Sequence, residues 1–248
     1  MAFKFILDEP DLLKECVIAA SSMLNEALLS VDSNGVSLVS MDSANVALVE
    51  FNILAGAFRE LEASEKTGFG VNMTDLVSVM RRIKSTESLE MSMNDGMLSM
   101  KIFGNAKRAF QIPLIDVKKE TKIPQLDFPA SIEIKASFLE DGISDAEIIS
   151  DAVILEADPD SFTIRSRGDN RTAELKMQKG EDGIVSLEAK DHVKSTFSLD
   201  YLKKMIKASK ISDVASVRIG NDYPLRMTFT VIDKAHIGFV LAPRIEND

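Results

Sequence analysis

Tryptophan is absent, and cysteine, histidine and tyrosine are nearly so: 248 residues hold one Cys, two His and two Tyr. A single cysteine, Cys16, excludes an internal disulfide and fits a reducing compartment. Its apolar neighbours Leu12, Leu13, Val17 and Ala20 mark it as a buried structural thiol rather than a nucleophile. His192 and His236 lie far apart, without metal-ligand spacing. The stretch Gly68-Phe-Gly-Val-Asn72 lacks the lysine of a phosphate loop, and Gly-x-Ser-x-Gly does not occur. No uncharged apolar run approaches membrane-spanning length, and the N-terminus turns acidic after seven residues, unlike a secretory signal. These absences point to a soluble, cytoplasmic, non-catalytic protein with no cofactor, no metal and no membrane partner. The enzyme alternative, a metal-dependent hydrolase on Asp42, Asp141 and Asp145, lacks a ligand cluster.

Positive charge is also scarce. There are 29 Lys+Arg against 39 Asp+Glu, a net charge of −10. That balance opposes a nucleic-acid partner unless the cations are segregated on one surface.

What the chain does contain is a duplication. Gly-Val-Ser-Leu-Val-Ser-Met-Asp-Ser-Ala-Asn-Val-Ala-Leu-Val-Glu-Phe (35–51) and Phe-Thr-Ile-Arg-Ser-Arg-Gly-Asp-Asn-Arg-Thr-Ala-Glu-Leu-Lys-Met (162–177) share one shape, two strands around a polar break. At an offset of 126 residues Val36 falls on Phe162, Leu38 on Ile164, Ala47 on Ala173, Leu13 on Leu139, Val17 on Ile143 and Leu76 on Leu202. Near the ends the offset slips to 127, with Leu98 on Leu225 and Met100 on Met227. The period is too long for a solenoid, so two similar domains are expected.

Each half reads as a short strand, a helix, alternating strands, a second helix and two closing strands. Leu13, Cys16, Val17, Ala20 and Leu24 form a helical stripe, matched by Leu139, Ile143, Ala146 and Ile149. Ser33-Asn-Gly35, Asn94-Asp-Gly96 and Lys179-Gly-Glu-Asp-Gly183 read as hairpin turns. Asn72 or Thr74, and Ser198 or Asp200, read as helix caps. The fold class is α+β, each domain an antiparallel sheet with two helices on one face. The expected limits are an N-terminal domain over 1–115, a connector over 116–130 and a C-terminal domain over 131–248.

The second helices carry the cations. Lys203, Lys207 and Lys210 follow i, i+4, i+7 spacing with Lys204 alongside, and the repeat partner carries Arg81, Arg82 and Lys84. Recurrence on the same element in both copies suits sequence-independent contact with a phosphate backbone.

Those stretches, with Gly-Phe-Gly-Val-Asn-Met before the basic helix, Tyr-Pro-Leu-Arg-Met-Thr-Phe (223–229) and Leu-Ala-Pro-Arg-Ile-Glu (241–246), resemble in order the DNA polymerase sliding clamps of the proliferating cell nuclear antigen family, archaeal in type. The resemblance covers the whole chain. It implies a closed ring of three subunits around double-stranded DNA, helices lining the bore, a processivity factor that tethers enzymes of replication and repair. A non-replicative clamp subunit, or one member of a heterotrimer, is the alternative.

Carried onto this sequence, the resemblance assigns DNA contact to Lys14, Arg81, Lys203, Lys204, Lys207 and Lys210. It assigns a pocket for short partner peptides to Met41, Val46, Leu48, Ile123, Pro224, Leu225, Val240, Ala242 and Pro243. The implied partners are DNA polymerase, clamp loader, flap endonuclease and DNA ligase, at a nucleoid-associated location. It assigns the subunit interface to Arg82, Lys84, Arg108, Phe110 and Glu174 on or near the strands Ala106–Ile112 and Arg171–Met177, and to Asp141 and Asp145 on the acidic helix. That helix, with Glu140 and Glu147 as well, carries arginines in some clamps, so the bore here is expected to be patchily basic.

Overall fold

The structure, a computed structural model, describes residues 3–63, 65–117 and 121–245. Lys118, Lys119 and Glu120 of the expected connector and Glu246 of the C-terminal motif lie outside the described residues. By its internal contacts the chain divides into two compact units. The first is Met1–Ser43, Val49–Ile123 and Val231–Ile237; the second is Ala44–Leu48, Pro124–Thr230 and Gly238–Asp248.

The first half of the chain runs β1 (Phe3–Leu7), α1 (Asp11–Ser21), β2 (Glu26–Asp32), β3 (Gly35–Met41), β4 (Ala47–Leu54), β5 (Glu60–Ala63), β6 (Thr67–Asn72), α2 (Met73–Met80), β7 (Ser88–Asn94), β8 (Met97–Phe103) and β9 (Lys107–Pro113). The second runs β10 (Ala130–Lys135), α3 (Ala136–Glu147), β11 (Ala152–Asp158), β12 (Ser161–Arg167), β13 (Thr172–Gln178), β14 (Ile184–Ala189), β15 (Val193–Ser198), α4 (Leu199–Met205), β16 (Val214–Ile219), β17 (Leu225–Val231) and β18 (Ala235–Leu241). A 3-10 turn follows β4 and another, Ile206–Lys210, follows α4.

Strand order repeats with the sequence. The sheet β5-β1-β7-β8-β9 is matched by the run β14-β10-β16-β17-β18, and the run β6-β2-β3-β4 by the sheet β15-β11-β12-β13. Three strands, not the expected two, follow the second helix of each half. The third member is β9 in the first half, an edge strand with alternating charged residues, and β18 in the second, a largely buried apolar strand.

Alternation builds the core. Phe3, Phe5 and Leu7 of β1 are buried, and Phe3 meets Phe69 at a centroid distance of 5.0 Å while Phe5 meets Phe58 edge-on at 5.2 Å. In the second unit Ile132 and Ile134 take the places of Phe5 and Leu7, and Phe162, Phe197 and Phe229 are buried there as well. α1 packs on α2, and α3 packs on α4 and on β12 and β13.

Two of the three expected hairpins form. Asp32 pairs with Gly35, whose φ of +136° and contact with Ile53, where a Cβ would sit 1.9 Å from the carbonyl oxygen, admit only glycine. Asn94 pairs with Met97 across Asp95 and Gly96, both at positive φ. Lys179–Gly183 is not a hairpin: β13 pairs with β12 and β14 with β10, so this turn carries the chain from one sheet to the other. Gly180 at positive φ supplies the turn, but turn chemistry alone does not say that its flanking strands pair.

Cys16 is fully buried, and burial pushes its thiol pKa far up. A thiol reagent should therefore leave the native protein unlabelled and modify one site per chain only after unfolding, measured by the absorbance of the released chromophore.

Candidate functional site

The first basic element is shorter than the sequence spacing implies. α2 starts at Asn72, whose side-chain oxygen accepts from the backbone N–H groups of Thr74 (2.9 Å) and Asp75 (3.2 Å). It ends at Met80. The Arg82 and Ile83 N–H groups reach back only three residues, to Val79 and Met80, and Ile83 turns into the core. Arg81 is thus the C-cap residue, and Arg82 and Lys84 lie in the turn beyond, not along a helix. All three are exposed.

The second basic element is divided. Ser198 holds the N-cap position of α4 without a side-chain cap bond, and after Met205 the chain tightens into the 3-10 turn Ile206–Lys210. Lys203, Lys207 and Lys210 therefore do not share one α-helical stripe. With about three residues per turn, Lys207 and Lys210 stack on one line instead, and both are exposed. Lys204 lies over the Tyr201 ring, 5.1 Å from its centroid.

Acids of α3 face this element. Lys203 is ion-paired with Glu147, and the Ser209 hydroxyl donates to Glu140 at 2.5 Å. In the first unit Lys14, the repeat equivalent of Glu140, reaches the same point on its neighbour: its Nζ lies 3.4 Å from the carbonyl oxygen of Ile83, the equivalent of Ser209. Lys14 is also ion-paired with Asp11 and is largely covered. Burial alone would raise the Asp11 carboxyl, but hydrogen bonds from Lys14 and Ser85 outweigh it and hold its pKa below the usual value.

The interface candidates fall in two groups. In the first unit Arg108 of β9 pairs with Glu87 and donates from Nη1 to the Arg82 carbonyl at 3.0 Å, while Glu87 also accepts from the Lys84 N–H at 2.9 Å. The Arg108 guanidinium and the Lys84 backbone N–H thus meet at one carboxylate, with Arg82 tied in through its carbonyl. In the second unit Asp141 and Asp145 are exposed on α3. Glu174 of β13 accepts from Arg165 Nε at 2.7 Å, and Arg165 also meets Glu156 at 3.1 Å. β9 and β13 each end a strand order, and their residues alternate in the same exposed and half-buried pattern, with Arg108, Phe110 and Ile112 inward on one and Ala173, Leu175 and Met177 on the other.

Of the expected peptide pocket, Leu48 (2% exposed), Leu225 (0%) and Val240 (8%) are core side chains of the second unit. Val46, Pro224 and Pro243 are half-buried there, and the exposed Ala242 donates its N–H to the Val46 carbonyl at 3.0 Å. Phe128, at the end of the connector, packs edge-on against Tyr223 at 5.6 Å. In the first unit Met41 is half-buried and Ile123 is 42% exposed.

Asp42 of the enzyme alternative is buried, whereas Asp141 and Asp145 are exposed. Among the described residues no group of three or more His, Cys, Asp or Glu is placed to hold a metal ion, and no helix is long and apolar enough to cross a membrane.

Comparison with known proteins covers the whole chain. The family model for the N-terminal domain of proliferating cell nuclear antigen matches residues 2–122, and that for its C-terminal domain matches 122–244. The DNA polymerase sliding clamp of Thermococcus fumicolans is 30% identical over 249 residues, covering 100% of both chains. DNA polymerase sliding clamp 1 of Thermococcus kodakarensis is 31% identical over 99% of this chain and 100% of its own. The crystal structure of PCNA from Thermococcus kodakaraensis superposes with a TM-score of 0.92 at 22% identity, over 98% of this chain and 100% of that one, a likeness of fold.

The geometry ranks the cations. Replacing Lys204, Lys207 and Lys210 together with Ala should lower duplex-DNA affinity and reduce the log–log salt slope by about 2.7, at ~0.9 per phosphate contact. Stability should change by no more than roughly 0.5 kcal/mol per site. Lys203→Ala, which removes a cation already held by Glu147, should move the slope least. Fluorescence anisotropy across a salt series, beside urea unfolding, measures both.

Proposed function

The chain belongs to the proliferating cell nuclear antigen family and is a DNA polymerase sliding clamp, and we propose that it acts as a ring of three copies that encloses duplex DNA and tethers polymerase to it. The observation that carries this reading is the twofold strand order with an edge strand at each end, β9 and β13, matched in length and in side-chain alternation. Antiparallel pairing of β9 on one copy with β13 on the next satisfies the backbone groups of both edges. Backbone pairing gives little register information, so side chains set it. Asp141 and Asp145 facing Arg82, Lys84 and Arg108 of the neighbour supply that information. Phe110 and Glu174 lie on the pairing strands themselves.

Function follows from topology rather than affinity. Arg81, Lys204, Lys207 and Lys210 give a diffuse attraction for phosphate, supplemented by Lys14 and Lys203. A closed ring stays on DNA without tight binding, which suits a net charge of −10. The protein binds and positions others and has no catalytic residue of its own. We place the working division at an N-terminal domain over 1–115, a connector over 116–130 and a C-terminal domain over 131–248. Partner peptides of clamp loader, polymerase, flap endonuclease and ligase, each with a Gln, an aliphatic anchor and paired aromatics, engage Met41, Val46, Leu48, Ile123, Pro224, Leu225, Val240, Ala242 and Pro243. Aromatic anchors of this kind dominate such interfaces. The compartment is the reducing cytoplasm, at the nucleoid.

Protein loaded on nicked circular DNA should be retained in gel filtration and lost on linearisation; equal loss from circles would overturn the encircling reading. Exposed ion pairs contribute only about 0–1 kcal/mol each, so single substitutions should leave the assembly intact. Asp141→Lys with Asp145→Lys should give monomers at micromolar concentration by light scattering, and adding Arg82→Glu with Arg108→Glu should partly restore trimers. For the peptide rim, Ile123→Ser should weaken a Gln-aliphatic-aromatic peptide by roughly tenfold in calorimetry, about 1.4 kcal/mol for loss of one apolar anchor contact.

A further inference from the structure

Strands β6 and β15 are repeat equivalents, and each is the outer edge of its strand order. Both edges are crossed by a segment leaving the other sheet of the same unit. The Ile115 N–H donates to the Gly70 carbonyl at 2.9 Å, and the Arg244 N–H to the Thr196 carbonyl at 2.7 Å. Backbone groups alternate in direction along a strand, so Gly68 and Lys194, two residues back, also turn their N–H and C=O outward. In the second unit these groups are closed off. The Lys194 N–H donates to the Asn221 side-chain oxygen at 2.8 Å, and the Asp222 N–H donates to the Lys194 carbonyl at 3.1 Å. In the first unit the two-residue turn Asp95-Gly96 stands where the Gly220–Pro224 loop does this work. The Gly68 N–H and C=O have no partner among the described residues.

The sheet face beside each edge shows the same contrast. In the second unit Lys194, Glu156 and Thr163 lie across three strands, Arg165 pairs with Glu156, and Glu156 and Thr163 are buried. Their equivalents in the first unit are Gly68, Ser30 and Ser37, with Val39 in place of Arg165. A face paved by long charged side chains in one copy is stripped in the other. A cavity of about 140 Å³ opens there, over Ser30, Ser37 and Val39 and between Lys66 and Lys122, with no carboxylate in its lining among the described residues. Gly70 has a local reason to be glycine, because a Cβ there would sit 2.2 Å from the Ile115 carbonyl oxygen. Gly68 has none: a Cβ would meet only Leu28 and Leu29, at 3.4 Å or more. Glycine weakens a strand, and it marks places where a ligand or another backbone approaches closely.

We propose that the Gly68 edge of β6 docks an extended partner segment, whose backbone pairs with the Gly68 N–H and C=O while an acidic side chain enters the cavity between Lys66 and Lys122; this extends the peptide-docking reading above and rests on it. Lys122 directly precedes Ile123 of the peptide site, so edge and site are continuous along the chain. Strand addition of this kind draws affinity from the main chain and specificity from the side chains. In a chain of net charge −10, two lysines beside hydroxyls favour a carboxylate. The closed edge at Lys194 limits this docking to the first unit.

The test follows the Gly68 amide of ¹⁵N-labelled protein as peptides are added, each with one Gln-aliphatic-aromatic core and a glutamate-rich extension at one end or the other. At saturation one of the two should slow exchange of that amide with solvent by about tenfold. It should also bind roughly fivefold more tightly than its glutamine counterpart at low salt, the scale of one or two exposed charge pairs. That preference should vanish in Lys66→Gln/Lys122→Gln and at high salt. Gly68→Val places a strand-forming residue in the trough, so the extension should add nothing there while the bare core peptide binds as it does to wild type. Core binding that leaves the Gly68 amide unprotected overturns this docking point and leaves the peptide reading standing. Where no core peptide binds, the peptide reading fails and the glutamate-rich extension alone, at millimolar concentration, decides: protection of the Gly68 amide carries the docking point, and its absence overturns it.

Discussion

A backbone N–H or C=O at the edge of a sheet needs a partner, and that requirement organises this molecule. The last strands of the two strand orders meet it in different ways. Within the first unit the Leu54 N–H donates to the Lys234 carbonyl at 2.8 Å, and within the second the Ala242 N–H donates to the Val46 carbonyl at 3.0 Å. Each unit is thus completed by a short segment from the other half of the sequence, 231–237 in one and 44–48 in the other. β9 and β13, the repeat counterparts of β18 and β4, end their strand orders with one edge each turned outward among the described residues. Arg108, Phe110, Ala173 and Leu175 are half-buried on these two strands.

The duplication was legible because its apolar positions keep one offset through helices and strands alike. Leu13/Leu139 and Leu76/Leu202 are all buried, as their periodicity demanded. The one-residue slip has a visible cause: the connection from β7 to β8 is the two-residue turn Asp95-Gly96, whereas β16 to β17 runs through a longer Gly220–Pro224 loop. Local signals failed where tertiary contacts decide. Lys179–Gly183 has ideal turn residues, yet no local feature says which strands flank a sheet-to-sheet crossing. The basic helix was overextended because Arg81, Arg82 and Lys84 are good helix formers, and the burial of Ile83 that ends α2 is a tertiary effect. Leu48, Leu225 and Val240 are buried in the second unit, and alternation along a strand does not by itself say which apolar face is core.

Charge was the other half-legible feature. The acids of α3 were visible in sequence as a departure from an arginine-bearing helix. Their effect was not, because pairing between Glu147 and Lys203 needs two helices brought side by side. The outcome is a surface in which part of the positive charge is already neutralised by the chain that carries it. Arg165, held between Glu156 and Glu174, shows the same economy on the second unit's sheet.

Lys14 and Glu140 occupy one position in the two copies, each reaching the end of its neighbouring second helix, one as a cation and the other as an anion. In the proposed ring, divergence at this single site would change the rotational period of the potential. Two copies alike in fold would repeat every sixth of a turn in a three-chain ring; copies opposite in sign repeat every third. A rod passing through the proposed ring would meet troughs and crests set by whole chains rather than half chains, and would sit toward one of three equivalent walls rather than on a centred track.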